Sequence, residues 1–352
     1  MAGRIGLLAV ARQDLILLTG ASGFVGGHLA ERLVADGHRV RCLVRETSEV
    51  GRLRSLAAAG DGPGTELAYG DLSDAASLAA AVQGVDVVVH SAAVVTDWAT
   101  IEEIRAANVS GTQDLVDAAV RGGVRRFIQI STTDVYGYPG MRVDEEFTPS
   151  GFANWYSQTK REAEAVLRAD AGAGGLEYVI LRPATIYGPR AADIIGEIAK
   201  GLLGRYLPLI GGGNIVAGLC YVENLAEAVS VALDHPDAAG RTFNVLDGES
   251  ITWREFLGDL ARGVGARPPL LRLSYKVAWR LAVVLEETYR LVRRQTGLKM
   301  APLLSRAAVH VMGRPQDFSN RRLRETLGWE PTVGYADGLA ATLNWLREDY
   351  LA

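Results

Sequence analysis

Short apolar runs alternate with longer amphipathic stretches through the first half of the chain. Leu15-Ile16-Leu17-Leu18 and Phe127-Ile128-Gln129-Ile130 typify the runs, and residues 85–90 form another between Gly84 and Ser91. The pattern predicts strands at 15–19, 39–44, 67–69, 85–90, 126–131 and 178–181, the last stopped by Pro183. Helical spacing of apolar positions predicts helices at 25–36, 75–82, 104–121 and 154–169. Continuous Val/Ile/Leu strands suit burial on both faces, and strand–helix alternation suits a parallel sheet with helices on each side. After Pro183 the alternation stops. A helix at 194–203, a Gly211-Gly212-Gly213-Asn214 loop, a helix at 220–233 and a strand at 242–246 are expected there. Further helices are expected at 256–264, 274–294, 323–327 and 335–346. The fold class is therefore α/β, a doubly wound parallel sheet with a smaller, mainly helical C-terminal cap. We assign 13–183, with 218–248 returning to it, to a dinucleotide-binding core. Residues 184–217 and 249–352 form a substrate-binding cap, and 1–12 a loose N-terminal arm.

Composition narrows the class. The chain has 352 residues, 48% hydrophobic and 22% charged, enough for one large domain or two smaller ones. The net charge of −4 is spread without a basic block, so nucleic acid is not an expected partner. Cys42 and Cys220 are the only cysteines and the histidines are scattered, so no metal site or disulfide framework is expected and a reducing cytoplasm is the default setting. The apolar part of 1–12 is too short for a signal peptide. No apolar stretch reaches the ~20 residues of a spanning helix, so no integral membrane segment is expected.

The first candidate chemistry is Gly20-Ala21-Ser22-Gly23-Phe24-Val25-Gly26, directly after the first strand and opening the first helix. Gly20 permits the turn out of the strand, Gly23 lets backbone approach a pyrophosphate, and Gly26 permits close helix–sheet packing. The helix start offers N–H groups and a positive dipole end to phosphate, with Ser22, Phe24 and Val25 beside it. The second strand ends at Leu43-Val44-Arg45-Glu46. A carboxylate that would hold the ribose 2′-OH of NAD is missing at Val44, and Arg45 suits a 2′-phosphate. NADP(H) is favoured; with NAD(H), Arg45 would be a solvated arginine stacking on adenine. Asp71-Leu72 would meet the adenine ring, or Asp71 would cap the next turn.

The second is Tyr156-Ser157-Gln158-Thr159-Lys160, with Ser131-Thr132 ending an earlier strand. Hydride transfer to a ketone leaves an alkoxide that needs a proton, and the reverse reaction needs the alcohol deprotonated. Tyr156 can serve either direction. Its ordinary pKa is ~10, so Lys160, at i+4 on the same helix face, is expected to favour the phenolate together with the nicotinamide charge. Thr132 or Ser131 would donate to the substrate oxygen.

With these residues placed, the chain resembles the extended short-chain dehydrogenase/reductase family over nearly its whole length, which implies a Rossmann-type core. The landmarks are Thr19–Gly26, Gly70-Asp71-Leu72, His90-Ser91-Ala92-Ala93, Asn108-Val109-Ser110-Gly111-Thr112, Ser131–Gly137, Tyr156–Lys160 and Leu181-Arg182-Pro183. The resemblance implies that Ser91, Ala92 and Ala93 line the cofactor, that Asn108 supports the scaffold, that Thr132 takes the catalytic hydroxyl position, and that Pro183 and Ala184 lie against the nicotinamide. Dehydratases of this family carry Thr-Asp-Glu where this chain has Thr132-Thr133-Asp134, so the acid that would protonate a leaving hydroxyl is missing. Thr185 stands where sugar-nucleotide members often place Asn. Arg182-Pro183 and the C-terminal Leu327-Gly328-Trp329-Glu330-Pro331 look more like the 3β-hydroxysteroid dehydrogenase and dihydroflavonol reductase branch. The resemblance also implies a homodimer through helices near 111–119 and 156–167.

The substrate cleft is expected beyond the strand ends, between core and cap. Trp98, Thr133 and Tyr187 are the candidate substrate contacts, and apolar walls suit a hydrophobic ketone. For Trp98 packing under a loop is the alternative, and for Val277, Leu281, Val284, Leu285 and Tyr289 core packing or a dimer contact is preferred to ligand contact. The expected function is an NAD(P)-dependent oxidoreductase interconverting a ketone and a secondary alcohol on a steroid-, polyketide- or lipid-like molecule. The rival readings are a sugar-nucleotide epimerase retaining NAD and a redox-inactive NADPH sensor.

Overall fold

The computed structural model describes residues 13–58, 64–95, 99–149, 151, 154–296 and 304–352. The 1–12 arm and Trp98 lie outside the described residues. The elements in chain order are β1 (Leu15–Thr19), α1 (Phe24–Ala35), β2 (Arg39–Val44), α2 (Gly51–Ala58), β3 (Thr65–Tyr69), α3 (Ala75–Ala81), β4 (Val87–His90), α4 (Ile101–Arg105), α5 (Gly111–Arg121), β5 (Arg126–Ile130), α6 (Trp155–Gly174), β6 (Glu177–Pro183), β7 (Thr185–Tyr187), α7 (Glu197–Leu203), β8 (Leu209–Ile210), β9 (Leu219–Tyr221), α8 (Val222–Asp234), β10 (Arg241–Val245), α9 (Trp253–Gly263), β11 (Arg272–Leu273), α10 (Tyr275–Thr296), α11 (Arg306–Gly313), α12 (Arg321–Leu327) and α13 (Tyr335–Trp345).

Seven strands form one parallel sheet in the order β10-β6-β5-β4-β1-β2-β3. β1 pairs with β2 on one side and β4 on the other, Thr19 facing both Leu43 and His90. Successive connections from this point run in opposite directions along the sheet, which opens a crevice at the carboxyl ends of β1 and β4. Ile16, Leu18, Val87, Val89, Ile128 and Val179 are buried on one face of the sheet. Leu17, Val88, Phe127 and Ile180 are buried on the other. Burial on both sides explains why these strands read as unbroken apolar runs.

His90 joins three of these elements. Its ring nitrogens share hydrogen bonds with Thr19 Oγ1 of β1 (2.8 Å) and Thr112 Oγ1 of α5 (3.0 Å). Burial, with the Lys160 charge adding to it, lowers its pKa to about 3. The unfolded chain therefore binds a proton that the folded chain does not, from about pH 6.5 down to about 3. Stability contributed by neutral His90 is complete above that window and is lost as pH falls through it. A His90→Gln variant should show a flatter fall in urea midpoint between pH 6.5 and 4, by roughly one proton's worth of slope. An unchanged slope would assign the acid sensitivity to other groups.

A separate apolar cluster gathers Tyr187, Ile195, Leu202, Leu219, Trp253, Phe256 and Ala282. The short parallel pairs β7–β9 and β8–β11 bind its segments together. Two departures from the expected layout follow. Leu323, Leu327 and Trp329 pack with Phe243 and Val245 in the cluster beneath the main sheet, so α12 belongs to the core side although 249–352 was assigned wholly to the cap. β6 continues through Pro183, paired with Val245, and the next N–H, that of Ala184, reaches the Val245 carbonyl (3.0 Å) in place of the one proline lacks. On α10, Tyr289 is buried as core packing requires and Leu285 is half-buried, whereas Val277, Leu281 and Val284 are exposed; Ala278 and Ala282 supply the other buried positions. Among the described residues no helix is long and apolar enough to cross a membrane.

Candidate active site

The glycine turn is built by contacts that exclude side chains. Gly20 has φ +71°, and a Cβ there would stand 2.8 Å from the Ala92 nitrogen. A Cβ on Gly26 would stand 2.1 Å from the Gly20 carbonyl oxygen. Gly23, the residue before α1, makes no side-chain cap, and the first turn holds no acidic residue. The helix start therefore keeps backbone N–H groups and a positive dipole end for an anion. Ser22 is exposed beside it, and Phe24 and Val25 are half-buried. On the facing strand end, Ser91 Oγ donates to the Thr19 carbonyl (2.9 Å) and the Ala92 N–H donates to Thr19 Oγ1 (3.2 Å). Ala93 follows, half-buried. These residues fit a dinucleotide pyrophosphate laid across the crevice.

Arg45 is exposed at the end of β2, where Val44 is buried and no carboxylate replaces it. Asp71 sits within its field. Asp71 Oδ1 accepts from both the hydroxyl and the N–H of Ser73, and these two bonds hold its pKa below the ordinary carboxylate range. The cap of α3 is Asp74, whose side chain accepts from Ala76 and Ser77. Leu72 packs over Gly111, where a Cβ would meet its own Cβ at 2.8 Å.

Asn108 lies in a π-helical turn, Ala106–Ser110, between α4 and α5. Its Oδ1 accepts from Val94 N–H (2.7 Å), and its Nδ2 donates to the Val94 carbonyl (3.1 Å) and to Thr159 Oγ1 (3.3 Å). The wider turn lets one amide lock the irregular segment after β4 to α6.

Thr132 follows β5 in extended backbone, and its Oγ1 accepts from the Asp134 N–H (3.1 Å). Accepting there leaves its own O–H to donate toward a substrate oxygen. Asn154 and Ser157 form a reciprocal capping box that fixes the start of α6. Tyr156 stands in its first turn, half-buried. Lys160 follows, buried, with Nζ donating to the Ile130 carbonyl (2.6 Å). One segment, 130–132, thus carries both the acceptor for Lys160 and the Thr132 hydroxyl.

Burial, then the Asp134 carboxylate, push the Tyr156 phenol above its ordinary value. Burial lowers Lys160 to about 8, against the pull of Glu164. Lys160 therefore does not by itself turn Tyr156 into a phenolate. Burial thus favours the protonated phenol near neutral pH, which a nicotinamide charge, together with Lys160, would oppose.

Pro183 and Ala184 are buried at the end of β6, with the Ala184 N–H donating to the Val245 carbonyl (3.0 Å). Two proposed substrate contacts are placed otherwise than expected. Tyr187 is wholly buried, ringed by Tyr221, Phe256 and Tyr335 at centroid distances of 5.4, 5.7 and 6.3 Å, and has no face open to a cleft. Thr133 is likewise buried.

Sequence reading missed a buried ionic group behind these residues. Glu164 accepts from Ser131 Oγ (2.6 Å), from Arg182 Nε (2.9 Å) and Nη2 (2.6 Å), and from Arg168 Nη2 (2.9 Å). Arg182 Nη1 also donates to Tyr136 Oη (2.7 Å), which donates to Asn244 Oδ1 (2.8 Å). The available signal was Glu164 at i+4 from Lys160 and i+8 from Tyr156, on one helix face.

A sheet that reverses its strand order beside a glycine cradle, with Tyr, Lys and Thr at the next strand end, defines a dinucleotide-dependent oxidoreductase class. The chain matches the NAD dependent epimerase/dehydratase family over residues 16–245 and belongs to it. It is 30% identical to a 2-alkyl-3-oxoalkanoate reductase of Stenotrophomonas maltophilia, across 92% of this chain and 97% of that protein. It is 32% identical to a 3 beta-hydroxysteroid dehydrogenase/Delta 5-->4-isomerase of Mycobacterium tuberculosis, across 90% and 86%. Among solved structures it resembles the dTDP-glucose 4,6-dehydratase DesIV of Streptomyces venezuelae, determined with NAD bound, with a TM-score of 0.76, 26% identity and coverage of 95% and 97%.

Proposed function

We propose that this protein is an NADP(H)-preferring ketoreductase acting on a hydrophobic small molecule, with Thr132, Tyr156 and Lys160 as its proton-transfer group. One observation carries the reading: the 130–132 segment holds Lys160 through the Ile130 carbonyl and presents the Thr132 hydroxyl beside it. Gly20, Ser22, Gly23, Phe24, Val25, Gly26, Ser91, Ala92 and Ala93 would hold the dinucleotide phosphates and nicotinamide side. Arg45, Asp71 and Leu72 would meet its adenosine end, and Pro183 and Ala184 the nicotinamide ring. When bound, the reduced nicotinamide supplies hydride to a carbonyl carbon. Thr132 donates a hydrogen bond to the carbonyl oxygen, and Tyr156, kept protonated by its surroundings, gives that oxygen its proton. Lys160 binds ribose and places a positive charge near the phenol. Reductases and hydroxysteroid dehydrogenases among the relatives support a ketone on an apolar framework.

The test is loss of reduced nicotinamide absorbance with a panel of steroid, β-keto ester and long-chain ketones. Consumption of NADPH with at least one of them is expected. An Arg45→Ala variant should lose about tenfold or more in preference for NADPH over NADH, the value of one charge-assisted pair; equal use of both coenzymes by the wild type would reject the assignment of Arg45. The similarity to a sugar-nucleotide dehydratase structure favours a second reading, an epimerase that retains NAD. That reading requires product formation from a nucleotide sugar with no net change in nicotinamide absorbance. A homodimer through α5 and α6, in the cytoplasm, completes the proposal, and sedimentation velocity checks its stoichiometry.

A further inference from the structure

We propose that Glu164 is a positioning residue for proton transfer: from behind the site it fixes the 130–132 segment that carries both the carbonyl partner of Lys160 and the Thr132 hydroxyl. The inference rests on the ketoreductase reading and adds a residue to it. Ser131 is the middle residue of that segment. Its N–H donates to the Leu181 carbonyl (2.7 Å) and its Oγ to Glu164 Oε1 (2.6 Å). Ile130 and Thr132 therefore flank a residue tied on two sides. Glu164 is itself held by the fork of Arg182, whose remaining arm reaches Tyr136 Oη (2.7 Å). Tyr136 closes the 3-10 turn that begins just after Thr132. One carboxylate thus holds the active segment at its middle residue and, through Arg182, the turn that follows it, and both Glu164 and Arg182 are buried.

Charge reinforces the geometry. Burial tends to raise the pKa of Glu164, but the Arg182 hydrogen bonds and charge, with Arg168 and Ser131, hold it below the ordinary range. Glu164 is therefore a fixed anion one helical turn from Lys160. The groups around Lys160 are Glu164 and Tyr156 on α6, His90 across on β4, and Asp134 in the turn after Thr132. His90 stays neutral to about pH 3, and Tyr156 is pushed above its usual value. Of the two carboxylates, Asp134 acts on the Tyr156 phenol, and Glu164 acts to keep Lys160 protonated, against a burial that brings it to about 8. A structural ion pair alone would not need to lie on the Lys160 face or to grip the residue between two active groups.

Lysine is rare here: Lys160, Lys200, Lys276 and Lys299 are the full set. Full-length protein carrying 13Cε-lysine can therefore be titrated by NMR in wild type, Glu164→Gln and Glu164→Gln/Arg182→Met, the double variant removing the guanidinium that the single one leaves unpaired. The Lys160 midpoint should fall by about one pH unit in both variants, which at pH 8 lowers its charged fraction from about a half to about a tenth. The alkaline limb of kcat for ketone reduction should move by the same amount, with KM for NADPH within about twofold of wild type. A Lys160 midpoint and kcat limb unchanged in both variants, with only a lowered Tm, would overturn the inference. A shifted midpoint in a protein that reduces no ketone would support it and overturn the ketoreductase reading instead.

Discussion

Replacing Tyr156 by phenylalanine is expected to lower kcat for ketone reduction by about 10²–10⁴-fold, the usual worth of a positioned acid, with NADPH binding retained. Phenylalanine keeps the ring in the first turn of α6, whose start is secured independently by the Asn154–Ser157 capping box. Only the phenolic hydroxyl is removed. Because the surroundings raise the phenol's pKa, the tyrosine is a stored acid near neutral pH, suited to reduction rather than to abstracting an alcohol proton. Rates of reduction should then be level below about pH 7 and fall as Lys160 loses its charge near 8. Steady-state turnover with a fluorescence titration of NADPH separates chemistry from binding. Turnover within tenfold of wild type would remove Tyr156 from the mechanism.

The second large effect is expected at Gly26→Ala. The added Cβ would lie 2.1 Å from the Gly20 oxygen, 2.6 Å from the Gly20 carbonyl carbon and 2.9 Å from the Ala21 Cα. All three are backbone atoms, so no side chain can swing aside. α1 would have to withdraw from the turn, at a cost of about 3 kcal/mol or more by comparison with overpacked cores. The same movement carries the N–H groups away from the pyrophosphate, and NADPH affinity should fall by at least about tenfold, equivalent to ~1.4 kcal/mol. Gly23→Ala is the contrasting case, since its Cβ meets only the Gly20 oxygen, at 3.3 Å. That variant should keep most of its thermal stability while losing affinity, because Gly23 is exposed and, on the proposed reading, would face the pyrophosphate rather than the strand. A Gly26→Ala protein with wild-type Tm and affinity would contradict the close packing.

The sheet was legible because its strands are buried on both faces: Ile16–Leu18, Val87–Val89 and Phe127–Ile130 have no reason to alternate polar residues, and each is bounded by turn signals. α2, β7, β8, β9, β11 and α11 were not anticipated; Cys220 and Tyr221, expected to open the helix at 220–233, belong to β9 instead, and α8 begins at Val222. The strands among them are two or three residues long, and pairing them depends on distant partners such as Arg272 beside Leu209. The π-helical turn at Ala106–Ser110 was read as part of one long helix, since helical spacing alone does not reveal a single wider turn. Tyr187 was expected as a substrate contact. Its ring instead fills the cap core, where Gly338 leaves room for it.

By itself the amino-acid order determined the glycine cradle, the Tyr156–Lys160 pair and the absence of a carboxylate at position 44, where Val44 precedes Arg45, because each depends on neighbours a few residues apart along a strand, turn or helix. Tertiary structure alone decided that Glu164, Ser131 and Arg182 meet, that His90 bridges β1 and α5, and that α12 returns to the core. Those contacts join segments that are remote in sequence. What selects them is the burial of charge and polar groups, which forces each to find a partner wherever the folded chain supplies one.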